Sequence, residues 1–174
     1  SEISVQVDRF DAGQEYAALI ADDTDGGAAV FFVGRVRAHS EGRQVTGLTV
    51  EHYPGMTEQA LERIVQEARQ RWPLQRVRVV HRVGALALGE PIVFVGALSA
   101  HRAAAFSAAE FIMDYLKTRA PFWKKERTPE GDVWVNARDS DQQAAQRGEL
   151  VGVHHQIPSE IGFWLLKVHS HLFS

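Results

Sequence analysis

Five cations fall within the run Lys117 to Arg127 (KTRAPFWKKER), interleaved with Pro121, Phe122 and Trp123. Lysines offer point charge to a phosphate, and the two rings offer π-faces to a flat heterocycle. That combination suits an anionic, aromatic ligand. A solvated helix end, its cations complementing the helix dipole, accounts for the same run without any site. A second cluster, Ser99-Ala100-His101-Arg102, stands where a strand pattern gives way to a helix pattern. The first amide hydrogens of a helix lack partners and attract anions, and His101 and Arg102 would add two side-chain donors. Ordinary polar residues at a surface junction are the plain alternative. The third cluster is Arg35-Val36-Arg37, which reads equally as an exposed strand end.

Other chemistries find no foothold. There is no phosphate-binding G-x-x-x-x-G-K-[ST] loop, no G-x-G-x-x-G and no H-E-x-x-H. His154-His155 and His169-x-His171 lie in an atypical tail, so no metal centre is expected. The chain has no cysteine. It can carry neither a thiolate nucleophile nor a persulfide, so any sulfur it handles must arrive on another molecule.

These clusters need elements to position them. Ala28 to Arg37 alternates as a strand, with Val30, Phe32 and Val36 on one face and Phe31, Val33, Arg35 and Arg37 on the other. A polar turn, His39 to Gln44, leads to a second strand over Val45 to Tyr53, and Pro54-Gly55 marks the next turn. Leu61, Ile64, Val65 and Ala68 recur at helical spacing within Thr57 to Trp72, with Glu67 and Arg71 as an i,i+4 pair and Pro73 as the stop. Val77, Val79, His81 and Val83 alternate as a strand. Ile92 to Ala97 is a continuous apolar run, as in a strand buried on both faces. Ser99 is expected to cap a helix reaching Lys117, with Phe106, Ala109, Met113 and Leu116 as its buried stripe and Pro121 beyond its end. The pattern is α+β with a largely antiparallel sheet.

Composition sets the outer bounds. At 174 residues and 45% apolar content, the chain can form one well-cored domain. A net charge of -3 argues against a general nucleic-acid binder. No run is long enough to span a membrane. Ser1 to Phe10 lacks the pattern of a signal peptide, which points to the cytoplasm.

Longer blocks then carry a resemblance. EHYPGMTE (Glu51 to Glu58), SAHR (Ser99 to Arg102) and FIMDYLKTRAPFWKKE (Phe111 to Glu126) are similar to the large subunit of bacterial molybdopterin synthase. GRVR (Gly34 to Arg37), VHRVG (Val80 to Gly84) and TPEGDVWVNARDSDQQAA (Thr128 to Ala145) fit in the same order. The resemblance implies an α/β-hammerhead fold with an additional antiparallel sheet. It implies a homodimer that becomes a heterotetramer with two small ubiquitin-like sulfur-carrier subunits. Each carrier brings sulfur as a thiocarboxylate on a C-terminal Gly-Gly tail. The substrate is cyclic pyranopterin monophosphate, the product is the dithiolene of molybdopterin, and no cofactor is needed. Lys117 and Lys124 match the family's catalytic lysines. Arg37, His101, Arg102 and Arg138 match its basic pocket, and Phe32 and Met113 match positions beside it.

The resemblance covers roughly residues 1 to 147, read as the catalytic domain. Gly148 to Ser174, with its apolar stretch Ile161 to Val168, departs from it and is read as an extension of unknown role. It is either an added surface segment or a cover for the partner groove. Two other classes compete with a synthase. A scaffold that only binds a phosphorylated metabolite would have no use for two catalytic lysines. A nucleotide-handling transferase would need a phosphate loop or metal carboxylates.

Overall fold

The computed structural model describes residues 2–135. Arg138 and the segment from Gly148 to Ser174 lie outside the described residues. The elements, in order, are β1 (Ile3–Gln6), α1 (Ala12–Ile20), β2 (Ala28–Arg35), β3 (His39–Ser40), β4 (Arg43–Gln44), β5 (Gly47–His52), α2 (Met56–Arg71), β6 (Arg76–Arg82), β7 (Gly84–Leu86), β8 (Pro91–Ser99), α3 (Arg102–Thr118), β9 (Phe122–Thr128) and β10 (Gly131–Trp134). One four-stranded sheet runs β1-β6-β8-β2, with only the β1–β6 pair parallel. A second sheet, β10-β9-β5-β7, is antiparallel throughout. The expected α+β architecture with a separate antiparallel sheet is therefore present.

Strand β8 explains its own apolar run. Val93 and Val95 join the core that α2 and α3 cover, together with Leu61, Ile64, Ile112 and Leu116. Phe94 faces the opposite way, stacked on Phe31 with ring centroids 5.3 Å apart and meeting Phe10 edge-on. Helix α1 packs over that second face. A Cβ on Gly96 would stand 2.8 Å from the Phe94 ring and 3.0 Å from Leu19, so a glycine sets how closely α1 approaches. A smaller core of Val36, Leu48, Val50, Val83 and Leu86 lies under the second sheet.

Local signals fix the helix ends. The Asp11 carboxylate accepts the Gln14 N–H at 2.8 Å and caps α1. Gly55 opens α2 at φ 83, a conformation that favours glycine, and the Glu58 carboxylate accepts its N–H. The Thr57 hydroxyl accepts the Tyr53 N–H and donates to the Pro121 carbonyl, tying the start of α2 to the turn between α3 and β9.

Three expectations change. Ser99 is the last residue of β8 rather than a helix cap, and His101 occupies the cap position without a side-chain bond. The fully buried Ser99 hydroxyl donates to the Pro73 carbonyl at 2.7 Å and accepts the His101 N–H at 3.3 Å. It joins the strand end to the turn after α2. Ser99→Ala is therefore expected to lower stability by about 1–3 kcal/mol, because the Pro73 carbonyl loses its buried donor. A urea midpoint that falls with an unchanged m-value would show it. Second, Phe106 is 60% exposed, and the buried face of α3 is built from Ala104, Ala105, Ala108, Ala109, Phe111, Ile112 and Leu116. Third, the polar segment His39 to Gln44 forms a small hairpin, β3–β4, around Glu41 and Gly42, both at positive φ.

Candidate active site

Helix α3 ends at Thr118, and Pro121 turns the chain into β9. That geometry sorts the basic run. Along β9, Phe122, Lys124 and Glu126 alternate onto one face, opposite His52, Val50 and Leu48 of β5, while Trp123, Lys125 and Arg127 take the other. The first three line a cavity of about 260 Å³ between the two sheets. Lys117, in the last turn of α3, lines it too. The remaining cations go elsewhere. Arg119 stands over the Tyr115 ring, Lys125 over the Trp134 ring, and Arg127 donates to the Leu86 carbonyl. Trp123 packs edge-on against Tyr53, so the expected aromatic wall reduces to Phe122.

The opposite wall is the end of β2. A register shift between Gly34 and Arg35 breaks the alternation expected for this strand, and Arg35, Val36 and Arg37 all reach the cavity. The turn before β8 holds this segment. Val36 exchanges backbone hydrogen bonds with Glu90 and Gly89, and the Arg35 Nε donates to the Gly89 carbonyl at 3.0 Å. Glu90 clamps the turn in its own right: its carboxylate accepts the Ala87 N–H and the Arg82 guanidinium at 3.0 and 3.1 Å. The Ala87 N–H above all, with Arg82 and Arg9 adding to it, holds the Glu90 carboxyl below its usual range.

Among the described residues, four cations, Arg35, Arg37, Lys117 and Lys124, thus face one cavity whose lining includes one carboxylate, Glu126. Glu126 is 7% exposed and lies 3.8 Å from Arg43. The net positive field in a partly dry site favours an anion. A smaller recess of about 40 Å³ adjoins it, lined by Phe32, His81 and Met113 together with Arg35 and both lysines.

His81 was visible in the sequence only as one position in an alternating strand. Val77 and Val79, four and two residues earlier on the same face of β6, belong to the main core. His81 is 2% exposed and stacks on Phe122 with ring centroids 3.8 Å apart. Burial first, then the charges of Lys124, Lys117 and His52, push it from 6.5 down to about 3, against an opposing hydrogen bond to the Arg82 carbonyl. Its ring is neutral in the folded chain, while the unfolded chain protonates it near 6.5. The resulting stability is complete above pH 6.5 and is lost as pH falls toward 3, by at most about 4–5 kcal/mol. Acid titration of the folding free energy checks this, and His81→Phe is expected to flatten that portion of the curve.

Of the residues expected at the site, Lys117, Lys124, Arg37, Phe32 and Met113 are gathered in these two recesses. His101 and Arg102 are exposed at the opposite end of α3. Arg102 is fifteen residues from Lys117 along that helix, roughly 22 Å away at 1.5 Å per residue. One chain therefore does not bring them to the cavity. Arg35 and Phe122 also line the cavity and came from clusters read as candidate sites, whereas Glu126 and His81 were not singled out as site residues. Arg35 adjoined a named one, and Glu126 closed a named block.

Comparison with known proteins shows the family. The MoaE protein family matches residues 5–119. The chain belongs to the MoaE family. This MoaE chain is 62% identical over 147 residues to the molybdopterin synthase catalytic subunit of Escherichia coli (strain K12), covering 84% of the chain and 97% of that relative. It is equally similar, 62% over 147 residues, to the molybdopterin synthase catalytic subunit of Pseudomonas aeruginosa, of which it covers 98%. Among solved structures, the MoaE protein of Burkholderia ambifaria superposes with a TM-score of 0.73 at 50% identity, over 86% of this chain and 98% of that one. Molybdopterin synthase from Staphylococcus aureus superposes at 0.72 with 29% identity, over 78% of this chain and 98% of that one. No helix among the described residues is long and apolar enough to cross a membrane.

Proposed function

We infer that this chain is the catalytic subunit of a molybdopterin synthase, a sulfurtransferase of molybdenum cofactor biosynthesis. One observation carries the chemistry: Arg35, Arg37, Lys117 and Lys124 converge on one cavity in a chain that has no cysteine. Such a cavity can hold two anions together, but the sulfur must come from outside. The donor is the thiocarboxylate at the Gly-Gly end of a small ubiquitin-like carrier, and the acceptor is cyclic pyranopterin monophosphate. Residues 1–147 form the catalytic domain, and residues 148–174 are an extension of unknown role. The reaction is placed in the cytoplasm.

Substrate and donor are both negatively charged, so the fixed cations offset a repulsion that would otherwise keep them apart. Arg37 holds the phosphate, and Phe32 and Met113 supply the apolar contact for the pterin. The thiocarboxylate sulfur forms a bond to a side-chain carbon of the substrate as the bond from that carbon to a phosphate oxygen breaks. Water then cleaves the acyl–sulfur bond, leaving sulfur on the pterin and a carboxylate on the carrier. Lys117 moves the proton, and Lys124 orients the donor carbonyl. A second carrier transfers its sulfur to the adjacent carbon, whose own oxygen leaves as water, so the half-sulfurated pterin stays bound between donors.

His101 and Arg102 fit this scheme through a second copy of the chain. The exposed Phe106 on α3 and Phe32 on edge strand β2 are apolar surface that a second copy would cover. A symmetric homodimer can then present the α3 start of one protomer to the cavity of the other, with one carrier bound at each cavity. Arg138 is assigned to the same phosphate pocket by resemblance.

The test mixes the full chain, a thiocarboxylated carrier and cyclic pyranopterin monophosphate, and detects the dithiolene by fluorescence after oxidation. Product that requires all three components supports the reading. No product, with a carrier that is active on another large subunit, overturns it.

A further inference from the structure

His81 is a histidine in an apolar slot. Val77 and Val79 fill the preceding positions of the same β6 face with aliphatic side chains, and an aliphatic residue would serve equally well to close the core. A histidine there exposes the fold to acid, and what it brings that a valine or phenylalanine lacks is its two ring nitrogens, one of them bonded to the Arg82 carbonyl. What it adds is a polar ring in the lining of the recess that Lys117 and Lys124 also line.

The state of each nitrogen follows from the ring's surroundings. Nδ1 lies 2.8 Å from the Arg82 carbonyl oxygen, which can only accept, so Nδ1 carries the proton. Stacking on Phe122 fixes the plane of the ring. The nitrogen that remains, Nε2, is then an acceptor. The groups that bear on it are Lys124 from β9, Lys117 from α3 and His52 from β5, and these same charges help to keep the ring from taking a second proton. A lone pair on a ring that shares its recess with two lysines is matched to an ammonium donor.

We propose that His81 is a positioning residue for the catalytic lysines, its Nε2 accepting a hydrogen bond from a lysine ammonium and fixing where that ammonium stands in the cavity. The proposal rests on the synthase reading and deepens it. The ring takes no part in bond making. It determines whether the lysine meets the reacting atoms in register, so it bears on turnover rather than on substrate affinity.

Two variants of the full chain test this, each assayed with saturating thiocarboxylated carrier and counted per folded molecule by circular dichroism. His81→Phe keeps a ring to stack on Phe122 and removes the acceptor. Its kcat is expected to fall about ten- to a hundred-fold, with KM for cyclic pyranopterin monophosphate within about two-fold of the parent. His81→Gln restores an acceptor and is expected to recover most of the lost turnover. A phenylalanine variant with parental kcat overturns the proposal, as does a folded glutamine variant no better than phenylalanine. A third readout does not depend on activity. Long-range ¹H–¹⁵N spectra of the parent chain between pH 6 and 8 are expected to show a protonated Nδ1 and a bare Nε2, and a protonated Nε2 overturns the proposal even if neither variant folds. The parent assay separates the two layers: no product from it sinks the synthase reading, whereas product from both parent and His81→Phe at equal rates sinks only the role of His81.

Discussion

Lys117→Ala is expected to cut turnover at least about a hundred-fold, the usual scale for removing a positioned proton-transfer group. Carrier affinity, measured by calorimetry, should stay within a few-fold. Lys117 lines both recesses from the last turn of α3 and is an exposed residue. The fold should therefore survive the change. Lys117→Arg refines the result. It keeps the charge but does not readily give up a proton. If the lysine moves a proton, the arginine variant is nearly as slow as alanine. Full activity in the arginine variant would assign Lys117 a purely electrostatic part.

Mixing two inactive variants should restore activity. Arg102→Ala is expected to weaken substrate binding severely by removing a phosphate contact, and Lys117→Ala to stop turnover. In a symmetric homodimer whose cavities each take Arg102 from the neighbouring protomer, half of the re-equilibrated dimers are mixed. Each mixed dimer has one intact cavity and one doubly defective cavity. About a quarter of the parental activity should return. The separation of the two residues along α3 makes this prediction strict: a single chain holds them roughly 22 Å apart, so an intact cavity cannot form within either variant. No recovery after subunit exchange, with exchange verified by mass, would remove Arg102 from the shared cavity.

What could be read from the sequence followed the strength of its periodicities. Helix α2 was clear because Leu61, Ile64, Val65 and Ala68 mark one face, and the structure buries all four. Strand β8 was clear because both of its faces are covered, which leaves a run with no polar residue to interrupt it. Strand β9 was hidden. Its alternation is Phe122, Lys124 and Glu126 against Trp123, Lys125 and Arg127, so neither face is apolar and the run reads as a charged helix end. The same alternation decides which cations belong to the cavity, and for that reason the basic cluster appeared larger than the site it serves. Strand β1, four residues long at a sheet edge, and α1, whose Leu19 is its only buried residue, carried too little pattern to be seen.

The site was legible in parts. Lys117, Lys124 and Arg37 stood out by charge and resemblance, and Phe32 and Met113 by resemblance alone. Arg35 was read onto the opposite strand face from Val36, and the register shift at Gly34/Arg35 that lets both line the cavity has no one-residue signature. Glu126 required the β9 register. His81 offered a usable signal, a titratable residue at an aliphatic position of an alternating strand, whose meaning appears only when Phe122 and the two lysines are packed against it.

The central claim, that this cavity moves sulfur from a carrier's thiocarboxylate to a pterin, is most directly tested by the origin of the product's sulfur. The carrier would be prepared with ³⁴S in its thiocarboxylate and reacted with the chain and unlabelled cyclic pyranopterin monophosphate, and the dithiolene product weighed by mass spectrometry. Both sulfurs of the product are expected to carry the label, with each spent carrier recovered as its carboxylate. A dithiolene without the label, or labelled carrier left intact beside unconverted pterin, would contradict the account.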